Sequence, residues 1–381
     1  MKVDTDIEIY AIVFLIISPK YYGVSINITV LYNINKSDFL EIIMRKLTYE
    51  NFIKARDYIF TNGDDVTHAW FRYNFVDGDP DAFMDILGKY QHENGGFGGL
   101  LYEFEYQGSC LKCTEHAFRY MFYLKKRPSA DDPVIQKMMK YLLERYRSDF
   151  GRWGELLEPE VNDGLHVRWW TYPDCDITSK TDVDERIRYY NPNGEAALAA
   201  IVALYPELLS KELYEEIIRY PVEHILRYYD ENSPLFGKSA RFDHGKNDIE
   251  SPYNLKCYQE FVKCLPDKVL ADKLTEILRQ NPTACMQLDY SAWENGYEEL
   301  PCDVVETPNS IVYPVVKQFV DDSLDYLISR QSTDGAWHLT WGFGEDEGFR
   351  RLERLYETNY TMLVLAKLGR FDRIEKVNYV G

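Results

Sequence analysis

One short pattern, a glutamine with a glycine four residues later and an aromatic residue two residues after that, occurs twice in this chain. The first copy is QHENGGF, beginning at Gln91, and the second is QSTDGAW, beginning at Gln331. A degenerate copy, RSDFGRW, begins at Arg147. Each copy lies between two segments with helical patterning. The chain is therefore predicted to repeat a unit of helix, glycine-aromatic turn and helix.

Apolar residues recur at three- and four-residue spacings from Leu47 onward, which indicates a helical protein. No long polar linker interrupts this pattern, so residues 44–381 are predicted to form a single all-α domain. Ten segments fit the helical spacing: Tyr49–Phe60, Asp81–Tyr90, Thr114–Leu124, Val134–Tyr146, Glu195–Tyr205, Lys211–Tyr228, Tyr253–Leu265, Lys268–Arg279, Ile311–Arg330 and Tyr356–Leu368.

Residues 1–43 differ from the rest because they are rich in Ile, Tyr and Asn and lack the helical spacing. Two interpretations stay open for this N-terminal extension. Either it adds a short pair of β-like strands, or it lies upstream of a natural start at Met44. Its apolar run, AIVFLII, is far shorter than the roughly 20 residues that span a bilayer, so we expect no transmembrane segment.

Composition narrows the classes of partner. The formal net charge is -19, with 43 Lys and Arg against 62 Asp and Glu, so a nucleic-acid backbone would be repelled and no nucleic-acid partner is expected. The seven cysteines are an odd number in a long chain, and the acidic N-terminus is unlike a secretory signal. These features predict a reducing, cytoplasmic setting.

The repeated residues have a physical role as a clamp between helical hairpins. Glutamine bonds free backbone groups at a helix end, glycine permits a tight or positive-φ backbone, and the aromatic ring covers the junction. The pattern resembles the Gln-x-x-x-Gly-x-Trp repeat of the squalene and oxidosqualene cyclases, within the terpenoid cyclase and protein prenyltransferase-like group. Phe97 stands in place of Trp in one copy, and Arg147 in place of Gln in another.

This resemblance implies an α/α toroid, in which helical hairpins form two concentric rings around a central cavity. In that arrangement the helix after each clamp is an inner one, and its amino end faces the cavity. The polar residues at those predicted ends are therefore candidates for the site: Cys113, Thr114, Glu115, His116, Asn191, Asn193, Glu195, Tyr253, Asn254, Tyr356, Glu357, Thr358 and Asn359.

Protonating cyclases need a carboxylic acid that burial keeps protonated, and the family's pattern for it is Asp-x-Asp-Asp. The nearest match is Asp182-Val-Asp184-Glu185, with Glu185 in place of the last Asp. Asp182 and Asp184 are candidate catalytic acids, although the charged stretch around them also fits a solvated loop. Glu115 and Glu195 are the other candidate catalytic residues.

Two motifs have spacings that suit metal ions. Asp321-Asp322-x-x-Asp325 matches the Mg²⁺-binding pattern of ionising terpene chemistry, but it lies on a helix predicted to be an outer one. The Cys110-x-x-Cys113-x-x-His116 motif lacks a fourth ligand nearby, so its residues are interpreted as core or helix-capping residues. No cofactor is predicted, with Mg²⁺ and Zn²⁺ left open.

Aromatic residues form 15% of the chain and are concentrated around residues 166–172, where rings could line a pocket or pack between hairpins. A small isoprenoid or another hydrophobic molecule is the expected ligand. The predicted substrate-binding residues are His166, Trp169, Trp170, Tyr172, Asn193 and Asn359.

Three functions stay open. The first is an enzyme of the terpenoid cyclase or prenyltransferase type acting on an isoprenoid in the cavity. The second is an α/α-toroid enzyme acting on carbohydrate, with acid/base and stacking groups such as Glu103, Glu115, Glu195 and Trp170. The third is a toroid that serves as a non-catalytic binding or structural module. Toroids host several chemistries, so the fold alone does not choose between them.

Overall fold

The computed structural model divides the chain into two units, Met1–Arg45 and Lys46–Gly381, and all the described helices belong to the second. The structure describes residues 44–149, 151–153, 156–167, 170, 172, 192–236, 252–286, 288–294, 300–305, 307–339 and 347–372. The predicted strand pair within residues 1–43 lies outside these ranges.

Helices dominate the described part of the chain, where β pairing is confined to isolated bridges such as the one between Gln91 and Phe97. The all-α prediction is therefore confirmed for these ranges. The α-helices are α1 (Tyr49–Asn62), α2 (Asp65–Phe75), α3 (Pro80–Leu87), α4 (Leu111–Phe122), α5 (Pro133–Arg145), α6 (Pro192–Leu204), α7 (Lys211–Tyr229), α8 (Pro252–Cys264), α9 (Lys268–Leu278), α10 (Pro301–Val304), α11 (Tyr313–Ser329) and α12 (Glu347–Lys367).

Each of the ten predicted segments overlaps one of these helices, but α2 and the short α10 were not predicted. Helix α2 is rich in Thr, Tyr, Phe, Trp and Asn, which are indifferent helix formers. The side chain of Asp64 caps it by accepting a hydrogen bond from the Thr67 amide at 2.8 Å. Val66, Trp70 and Tyr73 are buried at helical spacing, so tertiary packing stabilises this helix.

Helix α12 begins at Glu347 rather than at Tyr356. Tyr356, Glu357, Thr358 and Asn359 therefore lie inside this helix, and the prediction that they form its amino end is wrong. Residues such as Phe349 and Glu353 are buried, which extends the packed face of α12 toward its true start. The backbone amides of residues 356–359 are consequently inside the helix and provide no free donors for a ligand.

Helix α6 is buried on all sides and packs against α4, α7 and α8. Every residue from Ala196 to Ala203 is buried. The small alanine side chains let neighbouring helices approach closely, and a helix that is apolar all round belongs in the interior of a domain. This position places the first turn of α6 beside α8, where Asn193 donates to the side-chain oxygen of Asn254 at 3.0 Å.

The three copies of the repeated pattern form the first clamp (Gln91–Phe97), the second clamp (Arg147–Trp153) and the third clamp (Gln331–Trp337). In the first and third clamps, the glutamine side chain donates to the carbonyl of its own glycine, Gly95 at 3.0 Å and Gly335 at 2.9 Å. These glycines have φ values of 94° and 92°. The predicted roles of glutamine and glycine are confirmed there.

The aromatic residue of each clamp is tied to the helix that follows. The backbone amide of Phe97 donates to Thr114 Oγ1 at 3.0 Å, and that of Trp337 donates to Thr358 Oγ1 at 2.9 Å. In the second clamp, the amide of Trp153 donates to the Glu195 carboxylate at 3.2 Å. In each clamp, a polar side chain on the following helix thus accepts a hydrogen bond from the backbone amide of the clamp's aromatic residue.

The first and last described residues of the second unit lie side by side. The Leu47 amide donates to the carbonyl of Arg370 at 2.7 Å, and the Asp372 amide donates to the carbonyl of Leu47 at 2.9 Å. Nearby, the rings of Phe52 and Phe371 meet edge to face with centroids 5.6 Å apart. The last described residues therefore pack on the start of α1.

Candidate functional site

A cavity of about 80 Å³ opens between α2, α4, α8 and α12. Helices α4 and α12 are the ones that follow the first and third clamps, and α8 was also predicted to contribute to the site. Aromatic and cationic side chains form much of the wall. The lining residues are Trp70, His116, Arg119, Tyr120, Tyr123, Lys256, Glu260, Tyr356, Asn359, Tyr360, Leu363, Val364 and Lys367.

Arg119 joins α4 to α8 at this cavity. Its guanidinium donates to the hydroxyl of Tyr253 and, at 3.0 Å, to Sγ of Cys257. The Glu260 carboxylate lies 3.4 Å from Nε of Arg119. Burial alone would lower the pKa of Arg119, but the surrounding acidic groups, Glu260 first, raise it well above its usual value. The guanidinium is therefore a permanent positive charge in the cavity wall.

Glu115 lies behind this wall in a buried ion-pair network. Its two carboxylate oxygens contact Lys112 Nζ at 2.7 Å and Arg119 Nη2 at 2.9 Å. Burial opposes ionisation of this carboxyl, but the two cations outweigh burial and lower its pKa. Glu115 is consequently ionised at neutral pH, and its structural contacts favour orienting the two cations over donating a proton.

Aromatic rings cover one side of the cavity. The rings of Tyr102 and Tyr356 stack with centroids 4.0 Å apart, and His116 meets Tyr120 edge to face at 5.2 Å. Burial, reinforced by the charge of Arg119, lowers the pKa of His116 to about 3. The imidazole is therefore neutral at physiological pH and adds no positive charge to the wall.

Asn359 contributes a polar atom that the described protein does not satisfy. Its side chain is 9% exposed and lines the cavity, yet Oδ1 has no hydrogen-bond partner among the described residues. A buried amide oxygen without a partner carries a desolvation cost that a ligand donor would remove. Asn359 is thus the predicted substrate-binding residue that the structure places directly in this cavity wall.

Two further predicted residues, Trp170 and Glu103, do not line the cavity but contact each other. Trp170 donates from Nε1 to Glu103 at 2.6 Å, and the Lys112 ammonium lies 5.5 Å from the centroid of the Trp170 ring. Lys112 also contacts Glu115. Trp170, Glu103 and Glu115 therefore belong to one contact network, in which cation–π attraction supplements the ion pair.

The remaining predicted residues have mainly structural contacts. His166 lies in a bridge with Phe104, with Nδ1 at 2.8 Å from the Gly164 carbonyl. The backbone of Tyr172 pairs with the side chain of Asn162. Glu195 binds the second clamp and Asn193 binds Asn254, as described above. Trp169, Asp182, Asp184 and Asn191 lie outside the described residues, so their roles stay predictions.

Four charged residues of the cavity wall were not predicted from the sequence: Arg119, Lys256, Glu260 and Lys367. One signal was present, because Glu115 and Arg119 are four residues apart on a predicted helix and can pair there. Lys256 lies over the Tyr360 ring at 4.8 Å from its centroid, and Lys367 over the Tyr123 ring at 4.0 Å. These contacts join different helices, which a local pattern cannot show.

A second buried carboxyl lies on α12 next to α10. Burial and the nearby charge of Asp303 raise the pKa of Glu357 to about 8. The hydroxyl of Thr361 donates to Glu357 Oε1 at 3.2 Å. Glu357 is therefore mostly protonated at neutral pH, in contrast to Glu115 on α4.

Residues of the two motifs with metal-like spacing make structural contacts within the chain. Arg370 is 1% exposed and pairs with Asp325 at 2.6 Å and with Asp321 at 3.3 Å. Cys110 caps the amino end of α4. Within the described ranges, no group of three or more His, Cys, Asp or Glu side chains is placed to hold a metal ion.

No helix in the part of the chain that the structure describes is long and apolar enough to cross a membrane. Comparisons of the chain with family models, with curated proteins and with solved structures give no match.

Proposed function

We propose that the second unit is a closed α/α toroid of the terpenoid cyclase and prenyltransferase type. The contacts of its two end clamps support this arrangement. Gln91 reaches forward to the Val134 carbonyl in the first turn of α5, at 2.9 Å. Gln331 makes the same 2.9 Å bond to Asn51, in the first turn of α1. The third clamp thus contacts α1 in the same way that the first clamp contacts α5. Such a contact between the last clamp and the first helix is expected where a row of hairpins closes into a ring.

We propose that the cavity between α4, α8 and α12 binds the anionic end of an isoprenoid. The observation that carries this proposal is the joint occurrence of aromatic walls and three cationic side chains, Arg119, Lys256 and Lys367, at one cavity. A cavity of about 80 Å³ suits a phosphate-sized group better than a whole prenyl chain. The apolar chain of the ligand would then extend along the neighbouring tyrosine rings.

The same cations favour one branch of isoprenoid chemistry over another. A protonating cyclase stabilises a carbocation, which this lining would repel because its three cations, Arg119, Lys256 and Lys367, outnumber its one carboxylate, Glu260. A prenyl diphosphate carries negative charge, which these three side chains would attract and orient. The proposed substrate is therefore a prenyl diphosphate, and Glu115 acts as a positioning residue that holds Lys112 and Arg119.

The two alternatives differ from this proposal in different ways, one in whether the ligand is converted and the other in which ligand is bound. A non-catalytic binding module would bind the prenyl diphosphate without converting it. A carbohydrate enzyme would use Glu103 and Trp170, which already form a hydrogen-bonded pair, to hold a sugar. Glu115 suits an acid/base role less well, because two cations keep its carboxyl ionised.

A thermal-shift titration tests the proposal. The ligands are farnesyl diphosphate, inorganic diphosphate, farnesol and a cello-oligosaccharide, each with and without Mg²⁺. We expect farnesyl diphosphate to raise Tm most, because it carries both the anionic group and the apolar chain that the site is proposed to bind. A ligand present at about 100 times its Kd stabilises the folded protein by about 2.7 kcal/mol. Product analysis after incubation then separates an enzyme from a binding module.

Charge variants localise the binding. Lys367→Gln and Lys256→Gln are expected to weaken farnesyl diphosphate binding about tenfold or more. Lys140→Gln is the matched control, because Lys140 is 73% exposed on α5, away from the cavity lining. Equal affinities in all three variants, or no response to any prenyl diphosphate, would contradict the proposal.

A further inference from the structure

Glu260 on α8 supplies negative charge to the cavity lining, and it is the only acidic residue among the described residues of that lining. Its side chain is 8% exposed. Oε1 accepts a hydrogen bond from the hydroxyl of Tyr123 at 3.1 Å, and Oε2 lies 3.4 Å from Nε of Arg119. A buried carboxylate is therefore held in the same wall that is proposed to bind an anion.

Arg119 is held in place by contacts other than the one with Glu260. Its Nη1 donates to the hydroxyl of Tyr253, and its Nη2 donates to Sγ of Cys257 at 3.0 Å. Nη2 also pairs with the Glu115 carboxylate at 2.9 Å. Nε has no hydrogen-bond partner among the described residues, because the 3.4 Å contact with Glu260 does not reach hydrogen-bond geometry. Glu260 is therefore not needed to orient the guanidinium, and its main effect on the cavity is its charge.

The carboxylate of Glu260 reduces the positive charge that this cavity offers to a ligand. The described lining holds three cations, Arg119, Lys256 and Lys367, and one carboxylate, which leaves a net of two positive charges. His116 adds no charge, because burial lowers its pKa to about 3. An anion in the cavity is thus attracted by three side chains and repelled by one, and both energies grow with the charge of the anion.

We propose that Glu260 is an internal counter-ion of the cavity, which competes with the phosphate group of the ligand for Arg119 and lowers the affinity for anions in proportion to their charge. Because it concerns the same cavity and the same anionic group, this role rests on the proposed function. In the absence of a ligand, the carboxylate partly balances the cations. With a diphosphate bound, it repels that group, so the diphosphate dissociates faster than it would from a purely cationic cavity. Release of diphosphate is a step that any prenyl transfer requires.

Isothermal titration calorimetry of the full chain without Mg²⁺ tests this role with three ligands that share one isoprenoid chain. Farnesol is neutral, farnesoate carries a single negative charge, and farnesyl diphosphate carries more than one. Glu260→Gln removes the charge of Glu260 and keeps a side chain of the same shape. We expect this variant to bind farnesyl diphosphate about tenfold or more tightly than wild type. The gain for farnesoate should be smaller, and the affinity for farnesol should not change.

Three further variants separate the charge of Glu260 from other effects. Glu260→Met lacks the hydrogen-bond acceptor as well as the charge, so it should tighten binding by the same factor as Glu260→Gln if charge is the cause. The double variant Lys256→Gln/Glu260→Gln restores the net charge of the lining and should bind farnesyl diphosphate within about threefold of wild type. Glu144→Gln removes the same charge from the exposed surface of α5 and should change this affinity by less than about twofold. Far-UV circular dichroism checks that each variant is folded.

The outcomes distinguish this role from the proposed function. Unchanged or weaker binding of farnesyl diphosphate in Glu260→Gln and Glu260→Met would overturn the counter-ion role and leave the proposed function intact. Equal tightening of all three ligands would overturn the role as well, since an effect on neutral farnesol is not electrostatic. Binding of farnesyl diphosphate by both neutral variants but not by wild type would support the role and contradict the proposed function. Absence of binding by either anionic ligand in wild type and variants alike would overturn both.

Discussion

The side-chain amide of Gln331 donates a 2.9 Å hydrogen bond to the backbone carbonyl of Asn51, which lies 280 residues earlier in the chain. Gln91 makes the equivalent bond to Val134 over 43 residues. The glycines of the first and third clamps also approach these two helices closely. A Cβ on Gly95 would meet Lys137 in α5, and one on Gly335 would meet Lys54 in α1. Helices α1 and α5 therefore have equivalent positions relative to their clamps.

Gly335→Ala is predicted to destabilise the protein strongly. Its φ is 92°, and the added Cβ would lie 2.3 Å from the Lys54 backbone carbon, so both strain and collision result. Gly369→Ala is the matched control, because its φ is 72° and no atom lies within 4 Å of the added Cβ. We expect the control to lose only about 1 kcal/mol and Gly335→Ala to lose clearly more, by urea unfolding. Equal losses would contradict a close approach of the third clamp to α1.

Truncation of Trp337 should separate packing from hydrogen bonding. Its indole Nε1 donates to the Leu327 carbonyl at 2.8 Å, and the side chain is 1% exposed. Trp337→Phe keeps most of the ring volume and should cost about 1–3 kcal/mol, whereas Trp337→Ala should cost about 3–5 kcal/mol. Denaturant unfolding of both variants gives the comparison. An unfolding free energy that is the same in Trp337→Ala as in wild type would show that the third clamp has no structural role.

Glu115→Gln is predicted to leave the buried cations Lys112 and Arg119 without their shared carboxylate. Breaking a buried ion pair in this way costs about 3–5 kcal/mol. Because the folded pKa of Glu115 is lowered, this stabilisation is present above its unfolded value of 4.5 and is lost as the pH falls through the folded pKa. Unfolding free energies at pH 7 and pH 3 should show the difference between variant and wild type shrinking at the lower pH.

The control for this prediction is Glu144→Gln. Glu144 pairs with Lys140 at 3.7 Å on the surface of α5, with 56% of its side chain exposed. Exposed pairs contribute about 0–1 kcal/mol, so little change is expected at either pH. A loss in Glu115→Gln no larger than in Glu144→Gln would show that the buried network does not stabilise the fold.

Glu357→Gln is predicted to behave in the opposite way. The folded pKa of Glu357 is raised to about 8 from an unfolded 4.5, so its contribution is fully present below pH 4.5 and is lost as the pH rises through 8. A glutamine cannot ionise and avoids that loss. The variant should match wild type near pH 4 and become more stable by up to a few kcal/mol near pH 9, since one pKa unit corresponds to about 1.4 kcal/mol.

Unfolding curves across this pH range test the prediction for Glu357. Glu276→Gln serves as the control, because Glu276 is 72% exposed and pairs with Arg279 on α9. Its difference from wild type should stay small at every pH. A Glu357→Gln variant that becomes less stable than wild type as the pH rises would mean that the Glu357 carboxylate is ionised and stabilising in the folded protein.

Local sequence determined the helices and the clamps, because helical spacing, capping residues and turn glycines act over a few residues. Asp79, Asp132 and Asp267 each cap a helix with their own side chain. Gly95 and Gly335 have the predicted positive φ. The start of α12 at Glu347 did not follow from the local pattern, because its first turns lie beyond the regular apolar spacing and bury Phe349 and Glu353 only in the folded chain.

Tertiary structure decided the candidate site. The pairing of Glu115 with Arg119 could be predicted from sequence because the two are one helical turn apart. The contacts of Arg119 with Tyr253, 134 residues away, and with Glu260 could not, because both of those residues lie on α8. Lys256 and Lys367 enter the cavity wall through the packing of α8 and α12. Electrostatic interactions depend on distance and burial, and neither follows from residue spacing once helices from distant parts of the chain meet. The opposite protonation of Glu115 and Glu357 therefore follows from their folded surroundings.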